Sequence, residues 1–563
     1  MRTAAPRELA LRTNSRNDPY FTRDGQAIGR RAGTLPAPQS PRTALMSVLP
    51  APQLPRPPAV TQRTRLSERA TAALDAVLVI VPRQAGDAPL SQLPHAQRWR
   101  DLHAQALRSG GTAFASLPNE RGTRAALGVL PRAASAFETL ALAGRLFKEL
   151  ASCEMQALAL AAPAREPSDA REPSDALGAL LSAALAHAFE LPSFRKGRRR
   201  KQLRRIELVG RGRIDRPYLE AAADANNLAR YLTALPPNVL EARSFRRLIG
   251  ALAREHGLRM RWLDERALGR LGANAFLAVA AGNAERTAGI AHLSYRPRRG
   301  RTAKRAGGAP DLALIGKGVL FDTGGTNLKP HRAMLDMHTD MAGSAVALAV
   351  LTALARLDAP VSADAWLAIT ENRIGPSAYR PQDVVRAANG TTIQVIHTDA
   401  EGRMVLADTL TLAGRTRPRL MVDFATLTGT CVYALTERMS GMFTNEPRLT
   451  AQLLQAGRSS GERVWSFPFE PDYDSDLESK VADILQCAPE GKGDHILAAR
   501  FLSRFVPEGT PWVHLDLSAA VRAGGLAHIH TDVTGFGVRY ALELILRGRV
   551  LDSLGPRDRS RRR

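Results

Sequence analysis

Apolar residues change their spacing along the chain, and the change separates strands from helices. AVLVIVP (76–82) is a short apolar run between turn signals and predicts a strand. ASAFETLALAGRLFKELASC (134–153) and ALGALLSAALAHAFEL (176–191) repeat apolar residues at helical spacing. IELVG (206–210) predicts a second strand. Beyond about residue 218 helix and strand alternate. AAADANNLARYLTAL (221–235) stops before Pro236-Pro237 and SFRRLIGALAREHG (244–257) ends on Gly257, so both read as helices. DLALIG (311–316), AWLAIT (365–370), TTIQVIH (391–397) and LMVDFATLTG (420–429) read as strands, with helices over 342–357 and 405–415 between them. This order predicts an α/β fold. The C-terminal domain is expected to hold a mixed central sheet covered by helices on both faces, beside a smaller N-terminal α/β domain. In such sheets ligands bind at the carboxyl ends of the strands.

The 563 residues exceed one ordinary core and suit two domains plus tails. The expected boundaries are a disordered Pro/Arg-rich extension over 1–68, the N-terminal domain over 69–212, the larger domain over 213–550 and a basic tail over 551–563. AREPSDAREPSD (164–175) repeats six residues in tandem, and its Pro, Ser and Asp predict a surface loop.

The net charge of +24 resembles a nucleic-acid signal until it is located. Residues 1–70 carry 12 arginines against 4 acids, 195–205 (RKGRRRKQLRR) adds about +8, and the last seven residues add about +4. The remaining body is near neutral, so the charge lies in tails and one segment. Nucleic-acid binding through these stretches is the alternative function, with a solvated surface run the preferred reading of 195–205. Cys153, Cys431 and Cys487 form neither a CxxC pair nor a disulfide framework, which suits a reducing cytoplasm. No run of 18 apolar residues occurs, so no membrane span is expected. The N-terminus lacks the apolar core of a secretory signal, and Glu8, Asp18 and Asp24 argue against an acid-poor transit peptide.

Three segments gather the candidate chemistry: GKGVLFDTGGTNLKP (316–330), MHTDMAGSA (337–345) and HTDAEGR (397–403). They supply Asp322, Asp340, Asp399 and Glu401, interleaved with Lys317, Lys329 and Arg403. Four carboxylates drawn together repel unless cations sit among them, and oxygen-rich clusters suit pairs of divalent ions. From spacing alone a plainer reading stands equally: Asp399 as a helix cap, Glu401 as a first-turn acid and the lysines as ion-pair partners.

The same segments resemble the leucyl aminopeptidase family, the cytosol aminopeptidases. The family's NTDAEGRL appears as HTDAEGRM (397–404), and its GKG-x-x-FD-[ST]-GG-x-x-x-K stretch as GKGVLFDTGGTNLK. The likeness continues through RPQDVVRAANG (380–390), VDFATLTGTCVYAL (422–435), WVHLDL (512–517) and TGFGVR (534–539), covering roughly 218–548. It implies a metallo-exopeptidase that releases N-terminal, preferably leucine-like residues from short peptides by a two-metal-activated water. Lys317, Asp322, Asp340 and Glu401 would hold a tightly bound Mn²⁺ or Zn²⁺, and Asp322, Asp399 and Glu401 a more exchangeable one. Lys317 would then be a neutral amine. Lys329 would stabilise the oxyanion, and Arg403 would hold a bicarbonate acting as general base. Met337, Thr426 and Gly429 would line the pocket for the first side chain. The resemblance also implies a homohexamer, a dimer of trimers with sites facing an interior cavity.

Three departures stand out. His397 replaces the family Asn; a histidine there could shift the local hydrogen bonding or, rarely, offer a ligand, and it is expected to sit behind the metal ligands rather than among them. Ala342 replaces a Gly after Asp340, and Ser518-Ala519 replaces Ala-Gly. GRSSG (457–461) matches a nucleophile-elbow pattern, but a helix precedes Ser459 where a strand is required. His528 and His530 form an H-x-H with no third ligand, and His514 reads as a hydrogen-bonded strand residue.

Overall fold

In the computed structural model the described residues are 56–84, 86, 88–150, 152–163, 171–196, 201–210, 214–298 and 308–555. All belong to one unit, Ala51–Arg563. The first strands in the chain are β1 (Ala59–Arg63), β2 (Ala76–Pro82), β3 (Thr112–Ser116), β4 (Arg124–Leu130), β5 (Ala157–Ala161) and β6 (Arg205–Val209). They form a sheet ordered β1-β6-β5-β2-β4-β3, parallel except for β3 against β4.

Two expectations change here. β1 lies inside the stretch read as a disordered extension, and Ser67 caps the helix Glu68–Ala72 by accepting from the Ala70 amide. Its polar sequence hides it, because an edge strand needs to bury only Val60. The second copy of the duplicated hexad is also not a loop: the helix Arg171–His187 begins within it. Pro173 falls in the first turn, where its missing N–H has no helical acceptor to lose. Residues 1–55, 164–170, 197–200 and 556–563 lie outside the described residues, and with them most of the extension and tail readings.

The later strands run β7 (Arg259–Asp264), β8 (Gly289–Tyr295), β9 (Leu312–Asp322), β10 (Ala363–Asn372), β11 (Val384–Arg386), β12 (Thr392–Gln394), β13 (Leu420–Ala425), β14 (Ser440–Thr444), β15 (Val464–Ser466), β16 (Ile484–Leu485) and β17 (Trp512–Asp516). Eight of them build a mixed sheet ordered β15-β14-β17-β13-β9-β10-β8-β7, whose four middle strands β17, β13, β9 and β10 are parallel. The strand expected over 391–397 is shorter. β12 joins β11 and β16 in a separate small sheet, and the chain then bends into the turn that carries Asp399.

β9 sits among the middle strands and is buried almost throughout, as a parallel strand covered on both faces must be. Its side chains alternate between two apolar clusters. Leu312, Leu314 and Leu320 pack on one face with the helix Ala342–Arg356. Ala313, Ile315 and Val319 pack on the other with the helix Glu401–Gly414. The same alternation sends Lys317 to the Glu401 side and Gly316 toward Ala342–Arg356. A Cβ on Gly316 would stand 2.5 Å from the Ser344 Cα, so only glycine permits this helix-on-strand approach. The stretch His331–Arg356 contains an 18-residue window apolar enough to cross a bilayer, but 89% of that window is buried within the fold. It serves as core.

Candidate active site

The site forms where the parallel strands end. Asp322 closes β9 and Asn372 closes β10, while Thr426 follows β13 and Asp516 closes β17. Asp340 ends the short turn Met337–Thr339 before the helix Ala342–Arg356. Glu401 is the first residue of the helix Glu401–Gly414. That helix is capped by Ala400 with no side-chain cap bond, so Asp399 is not the helix cap that its position allowed.

Carboxylate oxygens of Asp322, Asp340 and Glu401 lie within 4.8 Å of one another, and all three residues are buried. Lys317 Nζ stands 2.8 Å from both Asp340 Oδ1 and Glu401 Oε1 and donates to the Thr426 carbonyl at 3.0 Å. Lys329 Nζ lies 2.9 Å from Asp322 Oδ2 and 2.5 Å from Asp399 Oδ1. Asp322 Oδ1 accepts from the Gly324 amide and Asn372 Nδ2, each at 2.8 Å, and Asp340 Oδ1 accepts from Thr426 Oγ1 at 2.7 Å. The four acids, two lysines and Thr426 predicted from the sequence are thus brought together. Met337 is half-buried three residues before Asp340, and Gly429 is exposed at the start of the next helix, Gly429–Leu435.

Neighbouring loops hold this geometry. Thr398 Oγ1 donates to the Gly324 carbonyl and accepts from the Asn327 amide, locking the turn of Asp399 onto the loop of Lys329. Tyr379 Oη and Asn372 Nδ2 both donate to the Thr398 carbonyl. Gln486 accepts from the Ile396 and His397 amides and donates to the Ala400 carbonyl. His397 Nδ1 accepts from the Asp399 amide at 3.2 Å. Gly402 lets the helix approach Lys317: a Cβ there would meet Lys317 Cε at 2.6 Å and Nζ at 2.7 Å.

The electrostatics fit a cation. Burial, reinforced by the neighbouring carboxylates, pushes Asp340 up to about 8 and Glu401 and Asp399 up to about 6. Burial works against the charged form of Lys317 and Lys329, but the surrounding carboxylates outweigh it and raise both. Asp340 Oδ2 and Glu401 Oε2, both buried, have no hydrogen-bond partner among the described residues. Two orphaned carboxylate oxygens beside a third carboxylate match the oxygen-rich donor set of divalent metals.

Arg403 pairs with groups of the chain itself. Its Nη2 donates to both oxygens of Asp494, at 2.7 and 2.6 Å, and its Nη1 donates to the Gln486 carbonyl at 3.2 Å. Asp494 and Gln486 lie more than 80 residues from Arg403, and no motif in the sequence pointed to them. His514, in β17, bonds Asp423 at 2.6 Å, and Ser459 lies within the helix Thr450–Ser460. In the described part of the basic run, Lys201 and Arg205 stand near Glu154 and Glu207.

The cytosol aminopeptidase family's catalytic-domain profile matches residues 227–542. The chain therefore belongs to the cytosol aminopeptidase family, a family of metallo-aminopeptidase hydrolases. A probable cytosol aminopeptidase of Gluconobacter oxydans is 38% identical over 422 residues, 73% of this chain and 82% of that protein. One of Syntrophotalea carbinolica is 42% identical over 322 residues, 56% of this chain and 62% of that protein, under two thirds of its length. Among solved structures, a tomato leucine aminopeptidase variant superposes with a TM-score of 0.78 at 26% identity, covering 89% of this chain and 99% of that one. The bottromycin maturation enzyme BotP in complex with Mn gives 0.71 at 31% identity, covering 84% and 99%.

Proposed function

We propose that this chain is a metal-dependent aminopeptidase that releases N-terminal, preferably apolar, leucine-like residues from short peptides. The carrying observation is the buried convergence of Asp322, Asp340 and Glu401 beside two lysines. Lys317, Asp322, Asp340 and Glu401 would hold a tight Mn²⁺ or Zn²⁺, and Asp322, Asp399 and Glu401 an exchangeable one. When bound, such a pair supplies Lewis acidity toward the scissile carbonyl and lowers the pKa of water.

The chain's own groups do the rest. To hold the metal, Lys317 would have to give up its proton and act as a neutral amine. Lys329, on a loop and partly open, keeps its proton and donates it as a hydrogen bond to the oxyanion. Thr426 holds Asp340 by a hydrogen bond, and Met337, Thr426 and Gly429 would line the pocket for the first side chain. The reading includes a cytoplasmic homohexamer, which light scattering would test by mass. Hydrolysis of leucine p-nitroanilide with added Mn²⁺ tests the activity, with the N-acetylated substrate expected to resist. No turnover by folded, Mn²⁺-loaded protein overturns the reading.

A further inference from the structure

Arg403 is 2% exposed, and a guanidinium so placed needs an anion. Asp494 is the first residue of the helix Asp494–Ser503, entered through Gly493 at φ 60°. The next residue, His495, donates its amide to Thr430 Oγ1 at 3.0 Å, which ties the helix start to the helix Gly429–Leu435. The carboxylate is thereby anchored four residues along the chain from Thr426, the residue that holds Asp340. Its side chain remains 24% exposed, so Asp494 stands at the rim of the site.

An external planar anion grips arginine through two parallel N–H groups. Here Nη1 donates to a carbonyl, Nε has no partner among the described residues, and Nη2, which takes part in both parallel N–H pairs of the guanidinium, is committed to the Asp494 carboxylate. A second anion reaching Nε would stand beside Asp494, where like charges repel. A tethered carboxylate also competes at a high effective concentration against a dilute solute.

We propose that Asp494 is the built-in anion of Arg403, filling the place that a free bicarbonate would need, so that this site works without bicarbonate. Asp494 is then a positioning residue, acting through Arg403. The proposal rests on the aminopeptidase reading and removes bicarbonate from it.

The test compares wild type, Asp494→Ala and Asp494→Asn, each loaded with Mn²⁺ in CO₂-stripped buffer, as bicarbonate or formate is titrated in. The wild-type rate stays flat. Asp494→Ala falls by roughly 10- to 100-fold and recovers as either anion is added. Asp494→Asn is impaired and does not recover, because its amide fills the space. A second readout needs no turnover: in metal-free protein, bicarbonate raises the melting temperature of Asp494→Ala and leaves wild type unchanged. Saturable bicarbonate activation of wild type overturns the proposal, as does an Asp494→Ala protein whose rate and melting temperature both ignore bicarbonate. A wild type with no turnover at all removes the aminopeptidase reading instead, and the melting comparison still decides where bicarbonate binds.

Discussion

Lys317 and Lys329 both stand among carboxylates, but they are held in different ways. Lys317 projects from the middle of β9, is 3% exposed, and meets Asp340 and Glu401, which are 6% and 2% exposed. Lys329 comes from the loop beyond β9, is 14% exposed, and shares Asp322 with Asp399, which is 28% exposed. In the deep half an unbalanced charge has no water to turn to, so some cation, ammonium or metal, must always be present. In the open half solvent shares the load and groups can exchange. A sheet-borne lysine suits a fixed ligand, and a loop-borne one suits a group that meets substrate.

Substitutions should separate the halves. Asp340→Asn or Glu401→Gln is expected to lower kcat/KM by roughly 10³-fold or more and to strip the tight metal, measured by anilide hydrolysis and elemental analysis. Asp399→Asn should cost only about 10- to 100-fold and spare that metal. Equal losses from both halves would erase the distinction. Lys329→Met is expected to lower kcat by roughly 10²- to 10³-fold with KM little changed, the signature of a contact made to the oxyanion.

Metal affinity should depend on pH with a defined sign. With no metal bound, burial and the neighbouring carboxylates push Asp340 up to about 8 and Glu401 and Asp399 up to about 6, and the metal binds only their ionised forms. Lys317 must also lose a proton. All four act in one direction, so Mn²⁺ affinity measured by calorimetry strengthens as pH rises through about 6 to 8 and weakens below; the raised Lys317 makes it go on strengthening above 8. Each displaced proton contributes about tenfold per pH unit.

The smallest effects come from two glycines. Gly402→Ala presses a methyl against Lys317 and is expected to cost about 1–3 kcal/mol of stability by thermal melting. Gly429→Ala meets nothing within 4 Å and should stay within about 0.5 kcal/mol.

Much of this architecture was legible because its signals are local. The apolar runs of β2, β9 and β10 and the small-residue helix Ala342–Arg356 carry their own periodicity. The acids, lysines and Thr426 lie in contiguous motifs. β1 was hidden because an edge strand needs one buried side chain, and the helical start within the duplicated hexad was hidden behind Pro173. The supports of the site were illegible for another reason. Asn372, Tyr379, Gln486 and Asp494 reach their partners across 19 to 91 residues. No spacing rule links an aspartate at a helix start to an arginine on a different helix.

The most direct test is the anomalous scattering of a crystal grown with Mn²⁺. The account predicts two peaks per chain, one among Lys317, Asp322, Asp340 and Glu401 and one among Asp322, Asp399 and Glu401. Absence of both, or Lys317 still bridging Asp340 and Glu401 as an ammonium with metal bound elsewhere, would contradict it.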